Sequence, residues 1–196
     1  MLALVGAAEL LAMTPWFSAT AVAPALVSEY HLTGAQAAWL TMAVQGGFVA
    51  GTVVSALLNL SDLISARWVF AVGCLGAAVA NALVTRAPSP VEAVAWRFAT
   101  GSALALVYPP AMKIIAGWFK HGRGAALGIL IGALTLGKAI PYLLAGVGNG
   151  SWRSLMLLAS VLAAAGGLLV VLTVRDGPYV AASSPFDPSA AIKVFN

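Results

Sequence analysis

The stretch GILIGALTLGKAIPYLLAGVG, from Gly128 to Gly148, decides the fold class of this chain. It contains one charged residue, Lys138, near its middle. A helix needs about 20 predominantly apolar residues to cross the roughly 30 Å of hydrocarbon in a bilayer. The stretch therefore predicts a membrane-spanning helix with a lysine at a depth where charge is costly.

The composition extends this prediction to the whole chain. Of 196 residues, 61% are hydrophobic and 8% are charged, and the mean hydropathy is +0.97. A soluble domain carries roughly 25% charged residues, so this chain is predicted to be an all-α, multi-pass membrane protein. The net charge of +4 is too small to indicate a nucleic-acid partner. The lone Cys74 cannot form an internal disulfide.

The sequence predicts six spanning helices joined by short loops, which make consecutive helices antiparallel neighbours. Barrel strands would show about 10-residue alternating segments, which are absent. Thr33 is a candidate N-cap for the second helix. The apolar runs are Leu2–Val27, Ala35–Leu60, Trp68–Val84, Val91–Phe119, Gly124–Val147 and Trp152–Val174.

Charges outside these runs predict the orientation. One set of loops holds five Lys and Arg residues and the other holds two, which places the richer set and both termini in the cytoplasm. We expect the membrane to be a bacterial-type inner (plasma) membrane. Residues 1–176 then form the bundle, and residues 177–196, rich in Pro, Ser and Ala, are predicted to be a cytoplasmic linker. The five are Arg67, Lys120, Arg123, Arg175 and Lys193; the two are Arg86 and Arg153.

Small residues recur at the spacing that lets membrane helices approach closely. Gly47 and Gly51 form one such pair, and Gly124, Gly128 and Gly132 form a double version in the fifth run. We expect them to pack helices within the bundle. A face for a second copy of the chain is the alternative.

Several segments together resemble the N-terminal half of a major facilitator superfamily transporter. The loop LNLSDLISAR, Leu58–Arg67, is similar to the family's G-x-L-x-D-x-x-G-R-R/K motif at Leu60, Asp62 and Arg67, but lacks its glycines. Arg97 and Gly101 fit R-x-x-x-G. The segment Gly122–Gly128 resembles R-G-x-A-x-G, and Gly132, Gly137 and Pro141 stand where the family has a glycine-proline motif.

The resemblance implies a six-helix bundle with a 3+3 inverted repeat, one half of a twelve-helix transporter. A C-terminal six-helix half is then the expected partner, with a solute cavity between the halves. It also implies a gating loop that latches the halves, for which Asp62, Arg67 and Arg123 are candidates. WFSATAVAPAL and VYPPAMK are similar to the nitrate/nitrite or cyanate porter-like subgroup, although the nitrate porters' arginine in span two and glycine-asparagine signature in span five are missing.

Three ionisable residues lie within the runs, and such residues indicate function. At 1.5 Å per residue, Glu9 lies roughly 8 Å to the cytoplasmic side of its run's centre, Arg97 roughly 12 Å and Lys138 about 3 Å to the outer side. Glu9 and Arg97 are therefore too far apart to pair. Arg97 either extends to the headgroups or, as the resemblance implies, points inward onto backbone carbonyls or a pathway. Glu9 either couples transport to protons or reaches the inner interface.

Lys138 has three interpretations. It faces the cavity and attracts an anionic solute, it pairs with Glu9, or it lies uncharged or hydrated among the helices. Polar and aromatic residues at similar depth complete the candidate pathway, and prolines that interrupt helix hydrogen bonds favour the fourth and fifth runs as its location. The other pathway candidates are Trp16, Gln45, Tyr108 and Tyr142.

The sequence thus predicts secondary active transport of a small solute, an anionic one if Lys138 faces the cavity. We expect no enzyme activity, cofactor or metal site, because the sequence has no metal-ligand spacing, phosphate-binding loop or nucleophile motif. The alternatives are a half-transporter that homodimerises and a structural membrane protein without transport.

Overall fold

A computed structural model describes residues 1–147 and 150–179, apart from the side chains of residues 61 and 62. Within these ranges the regular structure is entirely α-helical, as predicted. The helices are α1 (Leu2–Ala12), α2 (Ser18–Ala21), α3 (Ala23–Tyr30), α4 (Gly34–Leu57), α5 (Leu60–Leu63), α6 (Ala66–Val84), α7 (Pro90–Leu104), α8 (Tyr108–Trp118), α9 (Arg123–Val147) and α10 (Trp152–Thr173).

The chain crosses the bundle six times, and five of these traverses have the length and composition of membrane spans. They are α4, α6, α9, α10 and the pair α7–α8, which count as one continuous span. Thr33 begins α4 as predicted, within a capping box in which its hydroxyl accepts from the Gln36 backbone N–H. The predicted six-run organisation is therefore confirmed.

The first traverse differs from its prediction as one unbroken run. It is divided into α1, α2 and α3 by turns at residues 13–17 and at Val22. Pro15 explains the first turn, because proline lacks an N–H and its ring clashes with the carbonyl four residues earlier. The fourth traverse has a similar interruption at residues 105–107, just before Pro109 and Pro110. By contrast, α9 continues through Pro141 without a break.

Helix packing follows the 3+3 inverted repeat. α4 of the second traverse packs on α7 of the fourth, and α9 of the fifth traverse packs on α1 of the first. Likewise α6 packs on α7, and α10 packs on α1, while α6 and α10 pack on each other. Each contact maps onto another, or onto itself, when traverses one to three are exchanged with four to six.

Glycines make these contacts close. A methyl group on Gly47 would lie 2.0 Å from the Phe98 carbonyl oxygen, and one on Gly101 would lie 1.9 Å from that of Val44. The α4–α7 pair therefore packs backbone to backbone, as predicted for Gly47 and Gly51. On the other side of the bundle Gly137 allows α9 to approach α1, with the Leu10 carbonyl oxygen 2.2 Å from the position of an added methyl.

The prediction for the second glycine series is wrong. Methyl groups on Gly124, Gly128 or Gly132 would meet nothing within 4 Å, and all three residues are exposed. This stripe of α9 faces away from the described helices, because Leu130 and Gly137 lie on the face that packs inward. The stripe is an open surface of this chain.

Polar contacts tie the helix ends at the face that carries His31. Arg153 at the start of α10 forms a salt bridge with Glu29 and donates from Nε to the Thr85 carbonyl at 3.2 Å. Trp152 Nε1 donates to Glu29 at 2.7 Å. The hydrogen bonds from Arg153 and Trp152 hold the pKa of the Glu29 carboxyl below its ordinary value. Traverses one, three and six are thus joined.

The opposite face, which carries Met1, is tied by the segment that follows α10. Trp118 Nε1 donates to the Arg175 carbonyl at 2.8 Å, and the Tyr179 N–H donates to the Gly117 carbonyl at 2.9 Å. The first residues of the predicted linker therefore pack against the end of α8. The rest of that linker, residues 180–196, lies outside the described residues.

Candidate functional site

Lys138 lies on the ring of Trp16. Its Nζ is 3.8 Å from the ring centroid, the geometry of a cation–π contact. The close approach of α9 to α1 at Gly137 brings the two residues together. Lys138 is half-buried and Trp16 is 8% exposed, so the ammonium rests on a buried aromatic surface within the bundle.

Glu9 does not pair directly with Lys138. The residue is 0% exposed, and neither carboxylate oxygen has a hydrogen-bond partner. The charges of Glu9 and Lys138 act on each other through space without contact. The predicted direct pair is therefore absent from this conformation, and an ionised Glu9 without a partner would cost several kcal/mol.

Arg97 takes the inward orientation. It is 0% exposed, and its guanidinium donates to the carbonyls of Pro15 at 2.8 Å and Leu40 at 3.2 Å, and to that of Trp16. It also donates to Asn81 Oδ1 at 3.0 Å. Pro15 and Trp16 belong to the turn that divides the first traverse. Arg97 thus bonds two carbonyls of this turn, and it does not reach the headgroups.

A buried polar network extends from Arg97 into α10. Asn81 accepts from Ser18 at 2.8 Å and donates to the Met156 carbonyl and to the Ser160 hydroxyl, both at 3.0 Å. Thr14 donates to the Ala159 carbonyl at 2.9 Å. The network joins traverses one, three, four and six, and its members satisfy one another.

The remaining pathway candidates differ in exposure and in their neighbours. Gln45 is exposed on α4, and Tyr142 is 47% exposed on α9, one turn after Lys138. The Tyr142 ring lies 6.0 Å from that of Phe17, which places it beside Trp16 and Lys138. Tyr108 is half-buried at the start of α8 and packs on the core. The structure thus brings Trp16, Lys138 and Tyr142 together.

The three gating candidates do not form one described cluster. Arg67 has its guanidinium carbon 5.6 Å from the Trp68 ring centroid, and its buried Nε has no hydrogen-bond partner. Arg123 is exposed and donates to the Phe119 carbonyl at the end of α8. Asp62 belongs to α5, but its side chain lies outside the described part of the chain.

A cavity of about 450 Å³ lies elsewhere, near the His31 face. It is bounded by Pro24, Leu144, Trp152 and Leu158, and it contains none of the predicted pathway residues. Among the described residues no group of three or more His, Cys, Asp or Glu side chains could hold a metal ion.

Sequence reasoning missed Phe17 and Phe48, whose rings contact Trp16, and it missed Asn81 in the polar network. Asn81 carries a detectable signal, because a carboxamide within an apolar run must find a partner. The two phenylalanines carry none, since aromatic residues are common in membrane helices.

Residues 5–194 match the Major Facilitator Superfamily, which covers almost the whole chain. The chain belongs to this superfamily. Its members are transporters of the membrane, and the chain is accordingly a multi-pass membrane protein of a transporter family.

Solved structures support the same fold. A bacterial homolog to the human lysosomal transporter Spinster, in an inward-facing and unoccupied conformation, superposes with a TM-score of 0.76 at 16% identity over 96% of this chain. The same type of transporter in its occupied conformation gives 0.73 at 17% identity over 93%. The chain spans 45% of the length of each matched structure.

Proposed function

We propose that this chain is the N-terminal half of a secondary active transporter that moves a small anionic solute by alternating access. Lys138 is the group that attracts the anion. Glu9 is the group through which transport is coupled to a proton gradient. A C-terminal six-helix half forms the opposite wall of the cavity.

The observation that carries this proposal is the position of Lys138. It is half-buried between traverses, it lies on Trp16, and it has no direct contact with the carboxylate of Glu9. A cation held on an aromatic ring keeps donors that an anion can use. The family match and the 45% span of the matched structures support the transporter class and the missing half.

Replacement of Lys138 by Met tests the proposal. Radiolabelled benzoate, acetate and nitrate are first tested for uptake into proteoliposomes that contain the wild type. We expect uptake of the transported anion to fall by at least tenfold in Lys138→Met. The amount of inserted protein should not change. Lys120→Met is the matched control, because Lys120 is exposed in the loop between α8 and α9. Undiminished uptake by Lys138→Met would remove the lysine from the pathway.

A homodimer of this chain is the competing arrangement, and the open glycine stripe of α9 favours it. Sequencing of the coding DNA beyond codon 196 separates the two. A reading frame that continues into six further apolar runs supports the missing half. A stop codon at that point supports self-association, or a structural protein without transport.

The orientation with both ends of the bundle's chain in the cytoplasm and the inner-membrane location belong to the same proposal. The five-to-two bias of basic residues supports the orientation. The nitrate/nitrite or cyanate subgroup is less well supported, because the surroundings of Lys138 are aromatic rather than rich in polar donors.

A further inference from the structure

The surroundings of Lys138 are built from aromatic rings. Trp16 lies under the ammonium, its ring 4.9 Å from that of Phe48 and 6.5 Å from that of Phe17. Phe17 in turn lies 6.0 Å from Tyr142. These four residues, Trp16, Phe17, Phe48 and Tyr142, form the aromatic patch. They come from the first, second and fifth traverses, so the patch exists only in the folded bundle.

The patch is graded in exposure. Trp16 is 8% exposed and forms its floor, Phe17 and Phe48 are half-buried, and Tyr142 is 47% exposed at its rim. Lys138 is half-buried beside them. A ligand that reaches the ammonium from the surface of this chain therefore meets aromatic carbon on its way.

This composition disfavours a small inorganic anion. Such an ion has a strong hydration shell, and it enters a protein only where several donors replace the lost water. Lys138 lies on the Trp16 ring, and its charged group is one ammonium with three donors. The Arg97 guanidinium is already engaged by carbonyls and Asn81.

We infer that the solute is an organic anion that carries a planar apolar group, with its carboxylate on Lys138 and its ring on the aromatic patch. This inference rests on the proposed function and specifies its substrate class. Edge-to-face or offset ring contacts prefer centroid separations of 4.5–7 Å, and the patch already holds its own rings at such distances. A ligand ring that packs on Tyr142 adds one further ring contact to this series.

Competition binding tests the inference. Benzoate is the smallest suitable probe, because it is a carboxylate with one planar ring. We expect the purified full-length protein in nanodiscs to bind tritiated benzoate, and unlabelled benzoate to displace it at concentrations at least tenfold lower than acetate or nitrate. Lys138→Met should abolish this binding.

Tyr142→Ala tests the patch without disturbing its buried floor. We expect it to weaken benzoate binding by about three- to tenfold, as the loss of one ring contact predicts. Tyr179→Ala is the matched control, because Tyr179 is 48% exposed at the Met1 face, away from the patch. It should bind benzoate as the wild type does.

The outcomes separate the two proposals. If acetate or nitrate displaces benzoate as well as benzoate itself does, while Lys138→Met still abolishes binding, the substrate class is wrong and the anion site stands. If benzoate binds equally well to Lys138→Met, the anion role of the lysine in the proposed function is wrong. If none of the three anions binds, both fail.

Discussion

At the scale of single residues, Arg97 is the side chain on which the centre of the bundle depends. It donates to carbonyls of two traverses and to Asn81. One of these carbonyls is that of Trp16, so Arg97 holds the backbone of the residue whose ring contacts Lys138. Arginine suits this position because its planar guanidinium has five donors and stays charged when buried. Arg97 therefore supports the ring on which Lys138 rests.

Arg97→Met should lower the free energy of unfolding by about 2 kcal/mol or more, because it removes several hydrogen bonds that are worth roughly 0.6 kcal/mol each inside membrane proteins. The thermal unfolding midpoint in detergent measures this. Arg86→Met, at an exposed arginine, is the control. Equal midpoints for the two variants would contradict the structural role of Arg97.

Glu29 gives the His31 face a dependence on pH. Its pKa is lowered in the folded protein by Arg153 and Trp152, so the contact contributes stability above the ordinary pKa of 4.5 and loses it as the pH falls through the lower folded value. Glu29→Gln should lower the unfolding midpoint at pH 7 by no more than about 3 °C, since the pair is exposed. The difference from wild type should shrink towards pH 3; a difference that persists there would contradict the electrostatic origin.

At the scale of helices, close glycine contacts set the positions of the traverses. Gly47→Ala should separate α4 from α7, because the added methyl would lie 2.0 Å from a backbone oxygen that cannot move alone. We expect a loss of about 1–3 kcal/mol or more. Gly46→Ala is the control on the neighbouring position, where a methyl would meet nothing within 4 Å. Unfolding midpoints that fall equally in both variants would contradict the packing argument.

The sequence predicts these elements unevenly, for physical reasons. Helix existence follows from hydropathy, and the cap at Thr33 follows from local chemistry, so both could be predicted. The break at residues 13–17 depends on Arg97 and on other neighbours that donate hydrogen bonds to the carbonyls of the turn. Pro15 permits a break, and the distant guanidinium of Arg97 stabilises it by bonding the Pro15 and Trp16 carbonyls. Long-range compensation of this kind has no local pattern.

The candidate site is less predictable than the helices. Depth along each run identified Trp16, Lys138 and Tyr142, because charged and aromatic residues at mid-depth stand out in apolar sequence. The addition of Phe17 and Phe48, and the failure of Glu9 to pair, depend on how each helix is rotated about its axis. A difference of one residue in that rotation turns a side chain by about 100°.

At the scale of the whole molecule, the two halves of the inverted repeat differ in how much of their helix surface is covered. The α4–α7 pair is closed by glycines, whereas α9 packs on α1 near Gly137 and leaves its stripe at Gly124, Gly128 and Gly132 open. Only 17% of the most apolar 18-residue part of α9 is buried inside the bundle. This surface is where the proposed C-terminal half, or a second copy, would lie.

Cysteine cross-linking tests which of these covers the stripe. In the Cys74→Ala background, Gly128→Cys should give no cross-linked dimer of the full-length protein in membranes, because the C-terminal half is expected to cover residue 128. Val72→Cys, on the exposed outer side of α6, is the control for random collisions. A dimer that forms at position 128 well above that control would favour the homodimer.

The divided first traverse also bears on the order in which the protein is made. At 11 residues, α1 extends only about 16 Å and cannot cross the hydrocarbon alone. The ribosome delivers Arg97 81 residues after Trp16, so the carbonyls at the turn remain without their guanidinium until the fourth traverse emerges. We expect the first traverse to stay beside the translocation channel until then. Stable insertion of the first traverse is therefore a property of the first four traverses together, and it is reached only when the fourth has been made.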